Sequence, residues 1–273
     1  MIGAIIGDMA GSRFEHHPHR AGIDPLGFPL FTGESRFTDD TVMSIAVSQA
    51  LMDAAGDPDR LSEACALRFK EYGRRYPAAG YGGRFRQWLA SDDMRPLGSF
   101  GNGSAMRVSP VGWSCGTLEE AERMAKASAD ATHNHPEGVK GACSVAAAIF
   151  LARQGQSQKE IRRYLQRAYG YDLDKSLDEI GNTDFDVTCQ GSVPQAIVCA
   201  LETSSVEEAV RAAILLRGDA DTQAAIAGSI AEALWGVPEE LFTEARRRLD
   251  GFLVECLTRW LAWLGEGQPG LRQ

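Results

Sequence analysis

Apolar residues recur along this chain at three- and four-residue spacing, in one run after another. Val42, Ile45, Ala46, Leu51 and Met52 form one such face and predict a helix over 41–55, ended by Asp57-Pro58. The same spacing predicts helices over 61–76, 118–131, 139–153, 158–169, 194–201, 206–216, 222–235 and 238–264. Alanine, the best helix former, is abundant inside these runs. No stretch of alternating apolar and polar residues is long enough to argue a strand. The pattern predicts an all-α protein, and no Ser/Gly/Pro linker divides it, so 1–273 is expected to form a single compact multi-helix domain.

Two local patterns stand out from this background. Gly3, Gly7 and Gly11 fall four apart and would line one face of a helix, where another backbone can pack closely. Residues 16–37 carry three prolines and no helical period. Structureless loops longer than about 12–15 residues are uncommon in compact domains and often act as lids. This loop joins two acidic segments, Asp8/Glu15 and Asp39/Asp40, and its His16, His17 and His19 are expected to face solvent.

Charge narrows the function classes. Lys and Arg total 28 against 37 Asp and Glu, a net −9. Such a chain is a poor phosphate-backbone binder, so nucleic acid is not an expected partner except as a modified substrate. Arg246, Arg247 and Arg248 read as a solvated helix face. No apolar run approaches the roughly 20 residues needed to span a membrane. The first residues show no basic region, and Asp8 interrupts their apolar stretch, so no signal peptide is expected. The six cysteines form no C-x-x-C pair and read as buried free thiols of a reducing compartment, which places the protein in the cytoplasm.

The candidate chemistry lies at two helix entries. Thr38, Asp39 and Asp40 precede one apolar helix; Asp219, Asp221 and Thr222 precede another. Capping can explain one acid at a helix start. It does not readily explain two crowded acid pairs, which repel unless a cation sits between them. Asp39, Asp40, Asp219 and Asp221 supply charge to balance two divalent cations, and Thr38 and Thr222 add neutral oxygens. An all-oxygen set suits hard ions such as Mg²⁺ or Mn²⁺.

Five segments in order carry a resemblance to a known family: GAIIGDMAGSRFE at 3–15, FTDDTVM at 37–43, GNGSAMR at 101–107, THNHP at 132–136 and GDADT at 218–222. With these the chain resembles the ADP-ribosyl-glycohydrolases. The resemblance implies an all-helical fold with a binuclear Mg²⁺ or Mn²⁺ centre held by Thr38, Asp39, Asp40, Asp219, Asp221 and Thr222. It implies a hydrolase that cleaves the C1″ glycosidic bond of an ADP-ribosylated protein or small-molecule conjugate, releasing ADP-ribose. The acceptor could be an arginine or serine side chain, an acetyl group or another end. The alternative is a non-catalytic ADP-ribose-binding or toxin-immunity protein of the same fold.

Gly98, Ser99, Phe100, Gly101, Asn102, Gly103 and Ser104 correspond to the implied diphosphate loop, with glycines that let backbone N–H groups approach phosphate. Phe100 is expected to stack on adenine, and His133 to lie near the substrate; His135 is expected to be structural. Glu15, Asp39 and Asp40 are the implied catalytic acids. One departure matters: the family commonly has Gly-Gly before the Asp of the last motif, and here Arg217 stands in the first place. Arg217 is expected to reach toward substrate or to pair with a nearby acid.

Overall fold

The periodic runs become helices because most carry their own start signal. The hydroxyls of Thr117, Ser157, Thr188 and Ser205 each accept a backbone N–H three residues on, satisfying a donor that the helix start leaves unpaired. The structure, a computed structural model, describes residues 1–15, 27–181 and 184–267. Among them the chain runs α1 (Ile2–Gly11), α2 (Asp39–Ala54), α3 (Pro58–Arg75), α4 (Gly83–Ala90), α5 (Gly103–Met106), α6 (Ser109–Ser114), α7 (Leu118–Asp130) and α8 (Pro136–Arg153). It continues α9 (Gln158–Tyr169), α10 (Leu177–Ile180), α11 (Cys189–Leu201), α12 (Val206–Leu215), α13 (Ala220–Trp235), α14 (Glu239–Arg247) and α15 (Gly251–Gly267). No strand occurs among the described residues; Gly101 and Thr188 form one isolated antiparallel bridge.

The all-α expectation holds, with three differences. The helix expected from Pro194 begins earlier, at Cys189, and carries Pro194 inside it. Thr188 supplies the cap, and Gln190, whose carbonyl the proline leaves without its helical donor, is exposed to water. The run expected over 238–264 is two helices, divided at Leu249-Asp250, where Asp250 accepts the N–H of Leu253 and opens α15. The short α4, α5, α6 and α10 have too few residues to show a period. Of the expected lid, residues 16–26, with His16, His17 and His19, lie outside the described residues.

The centre of the molecule is α13, buried without a break from Ala220 to Ala231 and packed by α1, α8, α11 and α12. The glycine stripe of α1 sets its closest approach. A Cβ at Gly3 would fall 2.0 Å from the Gly228 carbonyl oxygen, one at Gly7 2.0 Å from that of Ala224, and one at Gly11 2.4 Å from Asp221 Cα. The Glu232 carboxylate accepts the Gly3 N–H at 2.8 Å and fixes the other end of the pair. Backbone-to-backbone packing of this kind leaves Asp8, beside Gly7, facing the start of α13.

Candidate active site

Asp8 has no exposed surface and organises the acidic end of the site. Its carboxylate accepts four hydrogen bonds from the start of α2. Thr38 gives its N–H at 2.9 Å and its hydroxyl at 2.6 Å; Thr41 gives its N–H at 3.1 Å and its hydroxyl as well. This clamp carries Asp39 and Asp40 to the start of α13. Carboxylate oxygens of Asp8, Asp40 and Asp221 lie within 4.8 Å of one another, and so do those of Glu15, Asp219 and Asp221. Asp221 belongs to both groups. Thr222 and Thr38 place their hydroxyls 3.4 Å from Asp40 Oδ2.

Capping does not explain these acids. Asp219 stands at the N-cap of α13 but its side chain makes no capping bond; its Oδ2 instead accepts the Asn102 side-chain amide at 2.7 Å. Asp40 Oδ1 is buried with no hydrogen-bond partner. Burial raises the Asp40 and Asp221 carboxyls well above the usual range, and the neighbouring acids raise them further. Burial, then the Asp8 charge, pushes Asp39 up to about 8.

From the acids a cleft of about 390 Å³ leads to the 98–104 loop. Ser99, Gly101, Asn102, Gly103 and His133 line that end, and Phe85, Leu97, Phe185 and Val187 give it apolar walls. The loop is held from several sides. Gly98 N–H reaches Asn134 Oδ1, Ser99 N–H the Thr132 carbonyl, Gly101 N–H the Ser99 hydroxyl and Asn102 N–H the Val187 carbonyl. Among the described residues, the amides of Phe100, Gly103 and Ser104 make no such bond. Ser104 itself is buried and donates its hydroxyl to the Gly138 carbonyl at 2.7 Å. Beneath the loop, the fully buried Arg107 guanidinium contacts Thr132 and His133 and lies 4.0 Å over the Phe69 ring.

The sequence-expected residues thus converge. Glu15, Asp39, Asp40, Asp219, Asp221 and Thr222 all line the cleft, and Thr38 lies just beneath it. Asp39 lines the cleft but stands outside both three-acid groups. Phe100 is 42% exposed and its ring lies 5.3 Å from that of His135, not in the cleft wall. His135 is structural: its Nδ1 accepts the Glu137 N–H and caps α8. Arg217 is exposed, lies outside the cleft wall and makes no ion pair among the described residues. Its φ of +62° shows why glycine suits that position. Sequence reasoning missed Asp8 as a site residue. Its signal was present: a lone acid inside a helix otherwise apolar and glycine-striped.

The family model for ADP-ribosylglycohydrolase matches residues 1–269. The chain is 28% identical over 315 residues to the ADP-ribosylhydrolase ARH3 of Homo sapiens, covering 88% of this chain and 85% of that protein. It is 25% identical to the ADP-ribosylarginine hydrolase Tri1 of Pseudomonas putida (strain GB-1), over 87% of this chain and 70% of that one. A solved structure titled ADP-ribosylglycohydrolase-related protein complex shares its fold at a TM-score of 0.70 and 22% identity, covering 97% of this chain and 95% of the other. The chain belongs to the ADP-ribosylglycohydrolase family.

Proposed function

We propose that this protein hydrolyses the C1″ glycosidic bond of ADP-ribosylated substrates and that it does so with two divalent cations, Mg²⁺ or Mn²⁺. The observation that carries the reading is the sharing of Asp221 between two buried carboxylate groups at one end of a cleft. The donor set fits hard cations: every candidate ligand atom is an oxygen, and Asp40 Oδ1 is buried without a partner. Asp8, Asp40 and Asp221 would hold one ion, Glu15, Asp219 and Asp221 the other, with Thr38 and Thr222 as neutral oxygens beside them. When bound, such a pair supplies Lewis-acid polarisation of the oxygens next to it.

The chain's own residues divide the remaining work. The unspent amide of Gly103, in the cleft wall, binds a diphosphate oxygen, and the apolar walls at Phe85 and Leu97 exclude water. Asp39 and Asp40 face the reacting sugar and stabilise positive charge on it as the bond to C1″ breaks. Glu15, half-buried at the open side of the acids, takes a proton from the attacking water, whose oxygen bonds to C1″. The leaving atom departs with the bonding pair and receives the proton that Glu15 took from water, so that one water is added across the bond.

Calorimetric titration with Mn²⁺ and ADP-ribose, followed by release assays on arginine-, serine- and acetyl-linked ADP-ribose, tests this reading. The expected result is ADP-ribose release from at least one linkage, its loss in EDTA, and its loss in Asp219→Ala with helical signal intact. ADP-ribose binding with no release from any linkage would overturn hydrolysis and leave a binding protein.

A further inference from the structure

His133 is 7% exposed, and both side chains that meet its Nδ1 are donors or can serve as one. The Thr132 hydroxyl lies 2.8 Å from Nδ1, and Arg107 Nη2 lies 3.4 Å from it. Arg107 Nη2 also donates to the Thr132 hydroxyl at 2.7 Å. A guanidinium has no acceptor, so the Thr132 oxygen, receiving its N–H, has its own hydrogen free to give to Nδ1. Both neighbours therefore favour a lone pair, not a proton, on Nδ1. A proton there would set an imidazole N–H against an arginine N–H in a buried place.

The other nitrogen faces the ligand loop. A Cβ on Gly103 would lie 3.1 Å from His133 Nε2, and one on Gly101 3.8 Å from it. Among the described residues Nε2 makes no hydrogen bond. Burial, then the charges of Arg107 and Arg84, holds the ring neutral far below the usual histidine range, which agrees with this geometry.

We infer that Arg107 and Thr132 are positioning residues that lock His133 in one neutral tautomer, with the proton on Nε2, so that it presents a fixed N–H donor to an anionic or hydroxyl oxygen of the ligand seated on the 98–104 loop. The inference rests on the proposed site only for the ligand's identity; the tautomer is a property of the free protein. Such a donor keeps its direction without carrying a charge that would attract the acids at the other end of the cleft.

Nitrogen-15 NMR of histidine-labelled protein, with the His133 ring assigned by its loss in His133→Gln, tests it. The ring should show the Nε2–H pattern in the absence of ligand. Thr132→Val, close in shape but without the hydroxyl, should mix the two tautomers and weaken ADP-ribose binding by roughly tenfold, about the value of one hydrogen bond. Thr132→Ser, which keeps the hydroxyl, should restore both. A wild-type ring protonated on Nδ1, or a His133 spectrum unchanged in Thr132→Val, would overturn the inference. If wild-type protein binds no ADP-ribose while the ring shows the Nε2–H pattern, the ligand assignment fails and the tautomer stands.

Discussion

Asp221 shows what one side chain does when two groups depend on it. Without cations, burial disfavours its charged carboxylate, and Asp40 and Asp219 repel that charge further. Asp221→Asn, which removes the charge and keeps the shape, should therefore stabilise the chelated protein. In Mn²⁺ the order should reverse on the proposed site, because binding at a hundred times a Kd would stabilise wild type by about 2.7 kcal/mol and the variant by far less. Thermal melts with EDTA and with Mn²⁺ measure both signs; an equal metal-induced gain in the two proteins would remove Asp221 from the site. Arg217 carries a different cost. A non-glycine residue in the left-handed region is strained by roughly 1–2 kcal/mol, and asparagine tolerates it better. Arg217→Asn should raise the urea midpoint by the equivalent of about 0.5–1 kcal/mol, and a lower midpoint would show that the arginine is otherwise compensated. These residues were unequally visible in the sequence. Asp39, Asp40, Asp219 and Asp221 could be read because they crowd helix starts, where capping needs at most one acid. Asp8 could not be read in the same way, because its partners, Thr38 and Thr41, come from another helix.

At the scale of elements, the pair α1 and α13 is the clearest case of local preference yielding to packing. Alanine favours a helix over glycine by about 1 kcal/mol. Yet Gly7→Ala would drive a Cβ into the Ala224 carbonyl, a backbone atom that cannot step aside. The substitution should cost at least about 2 kcal/mol net by urea denaturation, whereas Gly33→Ala, with nothing within 4 Å, should change stability by less than about 1 kcal/mol. A Gly7→Ala protein as stable as wild type would show that the helices can separate at small cost. The long amphipathic helices and the glycine stripe were legible because spacing records which face is buried. The break at Asp250 was visible only as an Asp-Gly pair inside an apolar run. The true start of α11 was hidden because proline usually marks a first turn, and here it lies within the helix.

Across the whole molecule the buried thiols record how closed the interior is. All six cysteines are free and buried. Burial pushes Cys65, Cys115, Cys143 and Cys189 up to about 12 and raises Cys199 as well. A thiol reagent at pH 8 should react with the native protein about a hundredfold more slowly than with a free thiol, and with all six after unfolding. One fast thiol in the native state would reveal an opening that the packing does not show. Periodicity alone leaves open that the turns at 38–41 and 219–222 meet, which is a property of tertiary packing; the balance of four acids against two divalent cations, and the ordered motifs of a family, pointed to it.

The pairing of α1 with α13 also sets a timetable for synthesis. Roughly 200 residues separate the two, and at roughly 5–20 residues per second a ribosome makes α1 some 10–40 s before its partner exists. During that interval a short apolar helix with a bare glycine face must wait, shielded by the exit tunnel, a chaperone or loose collapse with its early neighbours. Every nascent chain halted before α13 lacks Asp221, the acid that both carboxylate groups share.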